Sequence, residues 1–385
     1  MVVNAVVTVA LDVAWWVTLV FLGVQGLVAI VNAVSFPRLD TLTRRAAKDP
    51  STEPQGVVAH AVSILVPARN EAATLPSTLP LLLRQGAREV LVLDDGSTDE
   101  TAAIVDAFAQ DHPTLRRIEG QSLPDGWGGK NWACHQLAAQ AQGDLWVFTD
   151  ADVAWNEGAL EAVLTLQARN AAGLTTVWPR QATVGWVERI AVPQIDMILL
   201  GALPHPLVDA LPFASLAAAN GQVMAWTPDA YAKVDGHASV ADEVLEDVRL
   251  AQRAKRLRVR LALALGGARI EARMYRSTRD VIDGFAKNVG AAAGSPAALA
   301  LLVLVNLLAY TAVWPLALYD ARFAWLAALG VALRALIATT SGRTPLEGLW
   351  QPLAPFLVLL VAARAASWRG GYAWRGRRYA PKGTP

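Results

Sequence analysis

The side chains with the clearest chemical capacity in this sequence are carboxylates that follow short apolar runs. Asp94-Asp95-Gly96-Ser97 closes the run Val90-Leu91-Val92-Leu93, and Asp150-Ala151-Asp152 closes the run Leu145-Trp146-Val147-Phe148. Open α/β sheets bind their ligands at the carboxyl ends of the strands. Two aspartates one residue apart can share a hard divalent cation that also holds phosphate oxygens. We therefore interpret Asp150 and Asp152 as metal ligands, with Asp152 as the direct one.

A further acidic pair, Glu246-Asp247, lies much later, near the start of a stretch with helical spacing. A separate carboxylate of this kind can abstract a proton, and we interpret Asp247 as a general base with Glu246 beside it. The alternative is an ordinary pair of acids in a first helical turn, which the helix dipole stabilises.

Three polar segments are candidates for ligand contacts. Gly126-Trp127-Gly128-Gly129-Lys130-Asn131 precedes a helical pattern, where free backbone N–H groups and a lysine suit phosphate. Val66-Pro67-Ala68-Arg69-Asn70-Glu71 ends an apolar run and could hold a base and ribose, and Asn220-Gly221-Gln222 could approach a sugar closely. A flexible loop is the alternative for the segment 126–131, and a strand followed by a turn and a capped helix is the alternative for the segment 66–71. Tyr275-Arg276-Ser277 could bind diphosphate or a lipid headgroup.

Short apolar runs alternate with helical patterns between about residue 60 and residue 270, a rhythm that predicts an α/β domain with a parallel sheet covered on both faces. Ser97 is the predicted N-cap of one helix, with Glu100 at the capping-box spacing. The predicted strands are 62–66, 90–93, 115–118 and 145–148, and the other predicted helices are 71–84 and 131–142.

The segment 184–216 is apolar but is interrupted by charged residues and four prolines. This composition does not suit a membrane span. It predicts a membrane-surface patch or a wall of an acceptor channel, and a pair of buried helices is the alternative.

The two ends of the chain account for its high hydrophobic content of 54%. Residues 5–36 carry Asp12 as their one charge, and this run exceeds the roughly twenty residues needed to cross a bilayer. It predicts a membrane anchor. Three further apolar stretches follow at 296–318, 321–340 and 349–366, of which the middle one contains Arg322 and Arg334.

Basic residues after the anchor and in the tail place both the central domain and the tail in the cytoplasm by the positive-inside rule. That arrangement requires an even number of crossings after the domain, and three apolar stretches conflict with it. Either one stretch is re-entrant or interfacial, or the tail breaks the rule. The predicted division is an anchor at 1–37, a linker at 38–60, a catalytic domain at 61–275, an interfacial segment at 276–295, a membrane region at 296–368 and a basic tail at 369–385.

Charge and cysteine content exclude several classes of protein. The formal net charge of +1 gives no sign of nucleic-acid binding, and the basic residues cluster beside apolar ends, where anionic lipids explain them. The single cysteine, Cys134, excludes an internal disulfide and a multi-cysteine metal site.

Taken together in this order, the motifs at 66–71, 94–99, 150–152 and 246–247 resemble the metal-dependent, inverting family 2 glycosyltransferases with the GT-A fold. Within that family, residues 126–133 and 374–379 are similar to bacterial carotenoid- and hopanoid-associated enzymes. The resemblance implies a bacterial inner-membrane protein with a cytoplasmic catalytic domain. Such a protein moves a single sugar from a nucleotide-diphosphate-sugar to a membrane lipid.

Residue by residue, the resemblance implies that Asp95 contacts the base, Glu71 the ribose, and Asp152 a Mg²⁺ or Mn²⁺ ion, and that Asp247 is the general base. The residues expected to bind the donor are Pro67, Arg69, Glu71, Asp94, Asp95, Lys130, Asp150, Asn220, Gly221 and Arg276.

The sequence departs from the family after the base. Processive synthases and ceramide glucosyltransferases carry a Gln- or Arg-x-x-Arg-Trp signature there, whereas this chain has Arg276-Ser277-Thr278-Arg279-Asp280. The departure argues against a processive polymer synthase; Trp374-Arg375 could substitute. A polyprenyl-phosphate acceptor, a membrane-bound nucleotidyltransferase and a binding-only scaffold are the remaining alternatives.

Overall fold

The computed structural model describes residues 2–46, 58–368, 372–374 and 377–379. The chain divides into two compact units. The sheet unit consists of Phe36–Ala182 and Pro206–Met274, and the helical unit consists of Met1–Ser35, Thr183–His205 and Tyr275–Pro385. Residues 47–57 of the predicted linker at 38–60 and most of the predicted tail lie outside the described residues, whereas residues 39–46 of that linker form a helix. The predicted domain boundaries stay predictions.

The strands of the sheet unit are β1 (Val62–Ala68), β2 (Glu89–Asp94), β3 (Leu115–Glu119), β4 (Leu145–Thr149), β5 (Val153–Trp155), β6 (Leu174–Trp178), β7 (Arg180–Gln181), β8 (Val223–Trp226), β9 (Leu261–Leu265) and β10 (Ile270–Ala272). Two more strands, β11 (Tyr372–Trp374) and β12 (Arg377–Tyr379), pair antiparallel.

The α-helices are α1 (Val2–Ser35), α2 (Leu39–Ala46), α3 (Leu75–Leu83), α4 (Thr101–Asp111), α5 (Gly129–Gln140), α6 (Ala159–Asn170), α7 (Trp186–Ala191), α8 (Gln194–Ala202), α9 (His205–Ala210), α10 (Pro228–Lys233), α11 (Glu246–Arg256), α12 (Thr278–Ala293), α13 (Pro296–Asn306), α14 (Val313–Leu316), α15 (Arg322–Thr340) and α16 (Ala354–Ser367). A π-helical turn, Leu307–Ala312, joins α13 to α14. Short 3₁₀ helices span Ala59–Ala61, Ala214–Leu216, Gly236–Val240 and Pro345–Leu353.

The main sheet contains seven strands in the order β3-β2-β1-β4-β8-β6-β9, and β5, β10 and β7 form a second, smaller sheet. The four predicted strands are present and mutually parallel. The predicted parallel arrangement is therefore confirmed for these four strands, but the complete sheet is mixed, because β8 runs antiparallel to both β4 and β6. This reversal pairs Val223 with Thr149 and so brings the loop before β8 beside the carboxyl end of β4.

Strand β1 continues through Pro67 to Ala68, so the prediction that it stops before Pro67 is wrong. Its pairing with β4 ends at Leu65, opposite Phe148, whereas its pairing with β2 continues to Ala68. Pro67 has no backbone N–H to donate. It lies beyond the last residue pair with β4, where β1 pairs with β2 and no longer with β4, so a proline is tolerated there.

Two predicted helix starts are wrong for local reasons. Asn70 adopts a positive φ of 55°, and turns follow it, so α3 begins at Leu75. Ser97 does not cap α4, which begins at Thr101; the hydroxyl of Ser97 accepts a hydrogen bond from the Asn70 backbone N–H instead. A third helix, α5, extends over the predicted position with bounds shifted by two residues.

Apolar side chains on one face of the sheet pack against helices to form the main core of the sheet unit. The strand residues Ile64, Val92 and Val147 are fully buried or nearly so, and Leu79 of α3 and Val163 of α6 pack into the same cluster. Near-complete burial of such side chains stabilises each by about 1.5–3 kcal/mol relative to exposure. This packing holds the strand ends in fixed positions.

In the helical unit, four helical segments are long and apolar enough to cross a membrane: Ala5–Ser35, Pro296–Leu316, Arg322–Thr340 and Pro345–Ser367. Helices α1 and α15 pack together, and both contact α8. The buried Asn32 side chain of α1 donates to the carbonyls of Leu200 and Leu203 at 2.9 and 2.8 Å and accepts from the His205 N–H. The part of the apolar segment up to His205 thus belongs to the helical unit, and residues 206–216 belong to the sheet unit.

The helices α7 and α8 of this segment each bury one face. Ile190, Leu199 and Leu200 are buried, whereas Trp186 and Ile198 are 65% and 68% exposed. The prediction of a pair of buried helices therefore holds for one face of α7 and α8. The predicted membrane-surface role concerns the exposed face and stays a prediction.

A buried charge cluster links α8 to the region after α15. Nη2 of Arg343 lies 2.7 Å from Oδ2 of Asp196, and its Nη1 lies 3.3 Å from Oε2 of Glu347. Arg334, which is 1% exposed, donates to Oε1 of Gln351 at 2.8 Å and to the Arg189 carbonyl at 2.6 Å. Arg334, one of the two charged residues in the apolar stretch 321–340, is therefore turned into the protein and hydrogen-bonded there.

Candidate active site

The two predicted metal ligands directly follow β4. The backbone N–H of Asp150 donates to the carbonyl of Gln222 at 3.2 Å, which ties this turn to the loop before β8. Burial, and then the neighbouring Asp150 charge, raises the pKa of Asp152 to about 7. Gln222 lies beside Asp152, yet within the described residues neither Oδ1 of Asp152 nor Nε2 of Gln222 has a hydrogen bond of normal geometry. A buried carboxylate oxygen without a hydrogen-bond partner and with a raised pKa fits the role of a cation ligand.

The ammonium of Lys130 lies within the acidic part of the site. Its Nζ is 2.8 Å from Oδ1 of Asp150 and 3.3 Å from Oε1 of Glu246, and it donates to the Gly221 carbonyl at 3.2 Å. Burial alone lowers the pKa of this lysine, but the two carboxylates outweigh burial and raise it well above its usual value. Lys130 is therefore a permanent cation between the predicted metal pair and the predicted base pair.

The predicted base is held at the start of α11. The Gly221 N–H donates to Oδ2 of Asp247 at 2.8 Å, and the Val248 N–H donates to Oδ1 at 2.8 Å. Burial, followed by the Glu246 charge, raises the pKa of Asp247 to about 6. A carboxylate with this pKa is mostly ionised at neutral pH and is still basic enough to take a proton.

Gly221 comes so close to these groups that only glycine fits without displacement. A Cβ at this position would lie 3.1 Å from Oε1 of Glu246, 3.2 Å from Nζ of Lys130 and 3.4 Å from Cβ of Asp247. Its neighbour Asn220 accepts the Gln222 N–H on Oδ1 at 2.9 Å. The loop before β8 thus forms one wall of the acidic site.

The loops after β1 and β2 are joined by hydrogen bonds. The guanidinium of Arg69 donates to the carbonyls of Asp95 and Gly96, and the Asp95 N–H donates to the Ala68 carbonyl at 2.8 Å. Oδ1 of Asp94 accepts the Ser97 N–H at 3.0 Å. Asp94 and Asp95 are 8% and 6% exposed, so both carboxylates are held in a rigid, enclosed turn.

Glu71 belongs to the same pair of loops. It is 6% exposed, and its backbone N–H donates to the hydroxyl of Thr101 at 2.8 Å. The nearby Asp99 has a lowered pKa. Burial acts to raise this pKa, but hydrogen bonds from Thr101 and Ala72 outweigh burial. The turn that the sequence assigns to helix capping by Ser97 is thus organised by Asp99 and Thr101.

The structure brings the predicted site residues into two groups. One connected acidic site is formed by Lys130, Asp150, Gly221, Glu246 and Asp247; Asn220 directly precedes Gly221, and Asp152 lies two residues after Asp150. The ends of β1 and β2 and the loops after them form the other, which contains Pro67, Arg69, Glu71, Asp94 and Asp95. Arg276 belongs to the helical unit, where its exposed side chain precedes α12.

Sequence reasoning missed the role of Gln222. Its motif indicates only a close approach to a sugar, whereas in the structure its carbonyl accepts the Asp150 N–H and its side chain lies beside Asp152. The signal that could have found it is its position one residue before an apolar run, Val223–Trp226, that forms the strand next to β4.

The donor set fits a divalent cation bound partly by substrate. Among residues 2–46 and 58–368, no three His, Cys, Asp or Glu side chains form a ready-made metal centre. Asp150 and Asp152 supply carboxylate oxygens, the ligand type that Mg²⁺ and Mn²⁺ prefer, and such ions usually complete their shell with water and phosphate oxygens.

Comparison with known proteins gives a consistent assignment. Residues 63–208 match the family model "Glycosyl transferase family 2". Residues 63–208 form a family 2 glycosyltransferase domain. The prediction from the sequence that this protein is a glycosyltransferase is confirmed by the family of this domain.

The glycosyltransferase domain has curated relatives in staphylococci. A protein named 4,4'-diaponeurosporenoate glycosyltransferase from Staphylococcus haemolyticus is 28% identical over 262 residues, which are 65% of this chain and 67% of the relative. The protein of that name from Staphylococcus aureus (strain MRSA252) is 27% identical over 251 residues, 63% of this chain and 65% of the relative. The chain thus matches about two thirds of the length of these relatives.

A solved structure supports the fold of the glycosyltransferase. A mannosyltransferase from Pyrobaculum calidifontis, in complex with GDP-Man and Mn²⁺, aligns with a TM-score of 0.50 at 18% identity, covering 92% of this chain and 99% of that chain. The predicted α/β GT-A fold with apolar helices towards both ends is confirmed.

Proposed function

We propose that this glycosyltransferase moves a single sugar from a nucleotide-diphosphate-sugar to a membrane lipid, with inversion at the anomeric carbon. The observation that carries the proposal is the connected acidic site, in which Lys130 joins Asp150 to Glu246 and Gly221 joins Asp247 to the same loop. One half of this site suits a diphosphate with its cation, and the other half suits an acceptor hydroxyl.

The donor half is formed by the loops after β1, β2 and β4. The enclosed turn that contains Asp94 and Asp95 would receive the base, and Glu71 would receive the ribose. Asp152, with Asp150, would hold a Mg²⁺ or Mn²⁺ ion, which when bound neutralises charge that builds on the diphosphate leaving group. Lys130 adds a second positive charge at this place.

The acceptor half contains the base. Asp247 accepts the proton of the acceptor hydroxyl while that oxygen bonds to the anomeric carbon and the bond from that carbon to the nucleoside diphosphate breaks. The electron pair of the broken bond leaves with the diphosphate. Because the attack comes from the side opposite the leaving group, the configuration inverts. The pKa of about 6 leaves Asp247 ionised and ready at neutral pH.

Two observations support a lipid acceptor. The staphylococcal relatives are named for glycosylation of a carotenoid acid. The chain itself carries four helices with the length and composition of membrane spans, and exposed apolar side chains such as Trp186 and Ile198. We propose a multi-pass protein of the bacterial inner membrane with its catalytic domain in the cytoplasm. Nucleotide-sugars are found there, and the positive-inside rule places the basic residues after α1 on the same side.

Transfer assays with the full chain in detergent test this function. Purified protein is given total bacterial membrane lipid and radiolabelled UDP-, GDP- or dTDP-sugars, with Mn²⁺, Mg²⁺ or EDTA. We expect metal-dependent label in one lipid class, lost in Asp152→Ala. A folded protein that labels no lipid with any donor would contradict the proposal. A labelled polyprenyl phosphate, still formed by Asp247→Asn, would replace the hydroxyl acceptor by a phosphate.

A further inference from the structure

The segment that leads to the base has little structure of its own. Residues 241–245 connect the 3₁₀ helix Gly236–Val240 to α11, and they form neither helix nor strand. In this described stretch no side chain is fully buried, and Leu245, directly before α11, makes no capping hydrogen bond. The segment has one short backbone hydrogen bond of its own, from the Glu243 N–H to the Val240 carbonyl at 3.0 Å, so contacts from outside it are needed to fix the position of Glu246 and Asp247.

Asn131 of α5 supplies that fixation. Its side chain is 2% exposed, and its Nδ2 lies 2.7 Å from the carbonyl oxygen of Val240, 3.1 Å from that of Ala241 and 3.0 Å from that of Glu243. A primary amide has two N–H donors, so both are committed to these three carbonyls. The backbone N–H of Gly128 adds a bond of 2.7 Å to the Ala241 carbonyl.

The other end of the segment is held by the preceding residue of α5. Lys130 pairs with Glu246 at 3.3 Å and with Asp150 at 2.8 Å. Two successive residues at the start of α5 thus bind the beginning and the end of one connection. The same short piece of helix contacts a predicted metal ligand and sets where the base helix begins.

We propose that Asn131 is a positioning residue for the base: its amide fixes the segment 240–245 so that Asp247 stands at its working distance from the acceptor. The inference rests on the proposed function of Asp247. It assigns Asn131 no contact with the donor, so its loss should slow the transfer step and leave donor binding intact. Misplacement of a catalytic group by about 1 Å can cost on the order of 100-fold in rate.

The test compares Asn131→Ala and Asn131→Ser with Gln136→Ala. Gln136 is a second buried amide on α5, but it accepts from the Gln121 N–H and donates to the Trp132 carbonyl, away from the base segment. In the full chain we expect kcat of Asn131→Ala to fall about 10- to 100-fold, while donor KM and the affinity for UDP or GDP with Mn²⁺ stay within about threefold. Asn131→Ser keeps one donor and should fall between wild type and Asn131→Ala. Gln136→Ala should keep wild-type kcat.

Hydrogen–deuterium exchange gives a readout that does not depend on turnover. We expect faster exchange of residues 240–249 in both Asn131 variants and not in Gln136→Ala. Unchanged exchange there, or faster exchange with wild-type kcat, would overturn the positioning role. Equal losses of kcat in Asn131→Ala and Gln136→Ala would show that Asn131 acts through the general packing of α5 and does not position the base. Absent turnover in the wild type would instead contradict the proposed function, and exchange would still decide whether Asn131 holds the segment.

Discussion

Nζ of Lys130 lies 2.8 Å from Oδ1 of Asp150, so the chain itself places a cation against one of the two carboxylates proposed to bind a metal ion. The lysine neutralises acids that would otherwise repel each other when no substrate is bound. It also means that a divalent ion must bind Asp150 in the presence of an existing positive charge.

Replacement of Lys130 by methionine should therefore strengthen metal binding and weaken catalysis. We expect Mn²⁺ affinity without nucleotide, followed by electron paramagnetic resonance, to rise by about tenfold, or about 1.4 kcal/mol. The value of kcat/KM for the donor should fall, since the diphosphate loses a counter-charge. Lys130→Arg keeps the charge and is the control. Weaker Mn²⁺ binding in Lys130→Met would mean that the lysine serves to hold Asp150 in place.

Asp152→Asn should abolish activity and change how stability depends on pH. Its pKa of about 7 exceeds the ordinary value of 3.8, so between these values the folded state holds a proton that the unfolded state releases. Without metal, this group's contribution is fully present below about pH 4 and is lost as the pH rises to about 7. Thermal unfolding in EDTA should show a fall in Tm over that range that is shallower in the Asn variant. Parallel Tm profiles would argue against the raised pKa.

Asp247→Asn should separate donor binding from transfer. The variant should bind UDP or GDP with Mn²⁺ as the wild type does, while kcat falls by about 100-fold or more, in line with loss of a general base. In the wild type, the acid limb of kcat should bend near pH 6, because below its pKa the carboxyl is protonated and cannot accept a proton. The variant should lack this bend. Retained kcat in the variant would indicate an acceptor that needs no base.

Gly221→Ala should damage the site without unfolding the sheet unit. The added methyl group would press on Glu246 and Lys130 at 3.1 and 3.2 Å, and these side chains must move by a few tenths of an ångström. We expect kcat to fall about tenfold with little change in Tm. Gly26→Ala is the control, since no atom of the described structure lies within 4 Å of its would-be Cβ. Equal kcat in both variants would contradict the tight packing around Gly221.

Arg343→Gln should destabilise the helical unit because it leaves Asp196 without its buried partner. Loss of one member of such a pair typically costs about 3–5 kcal/mol. The Tm of the full chain in detergent should fall by several degrees. The double variant Asp196→Asn with Arg343→Gln should recover part of the loss. No recovery would show that the arginine acts mainly through Glu347.

The motifs predicted the site well where carboxylates follow buried strands. Asp94 and Asp150 lie at strand ends, as expected, because an apolar run before an acid marks a buried strand whose end reaches the surface. The sequence could not show that Lys130 faces two acids, because that contact joins residues far apart in the chain through β4 and α11.

Antiparallel β8 was also beyond local reasoning. The run Val223–Trp226 is too short to reveal its direction, which depends on the path of the chain between β6 and β8. Ser97 illustrates a different failure. Its type and spacing fit a helix cap, but its hydroxyl is committed to Asn70, whose left-handed conformation no local pattern indicates.

The assignment of Thr183–His205 to the helical unit has a practical consequence. The chain passes from one unit to the other at four places, so the sheet unit is not a continuous length of sequence. A protein truncated to about 58–275 would keep α7 and α8 but lose Asn32, Arg334 and Arg343, which pair with them. It would expose a buried carboxylate and an apolar helix face to water. Soluble expression of the catalytic domain would then need residues 183–205 replaced by a polar bridge, with the anchor and the C-terminal helices removed together.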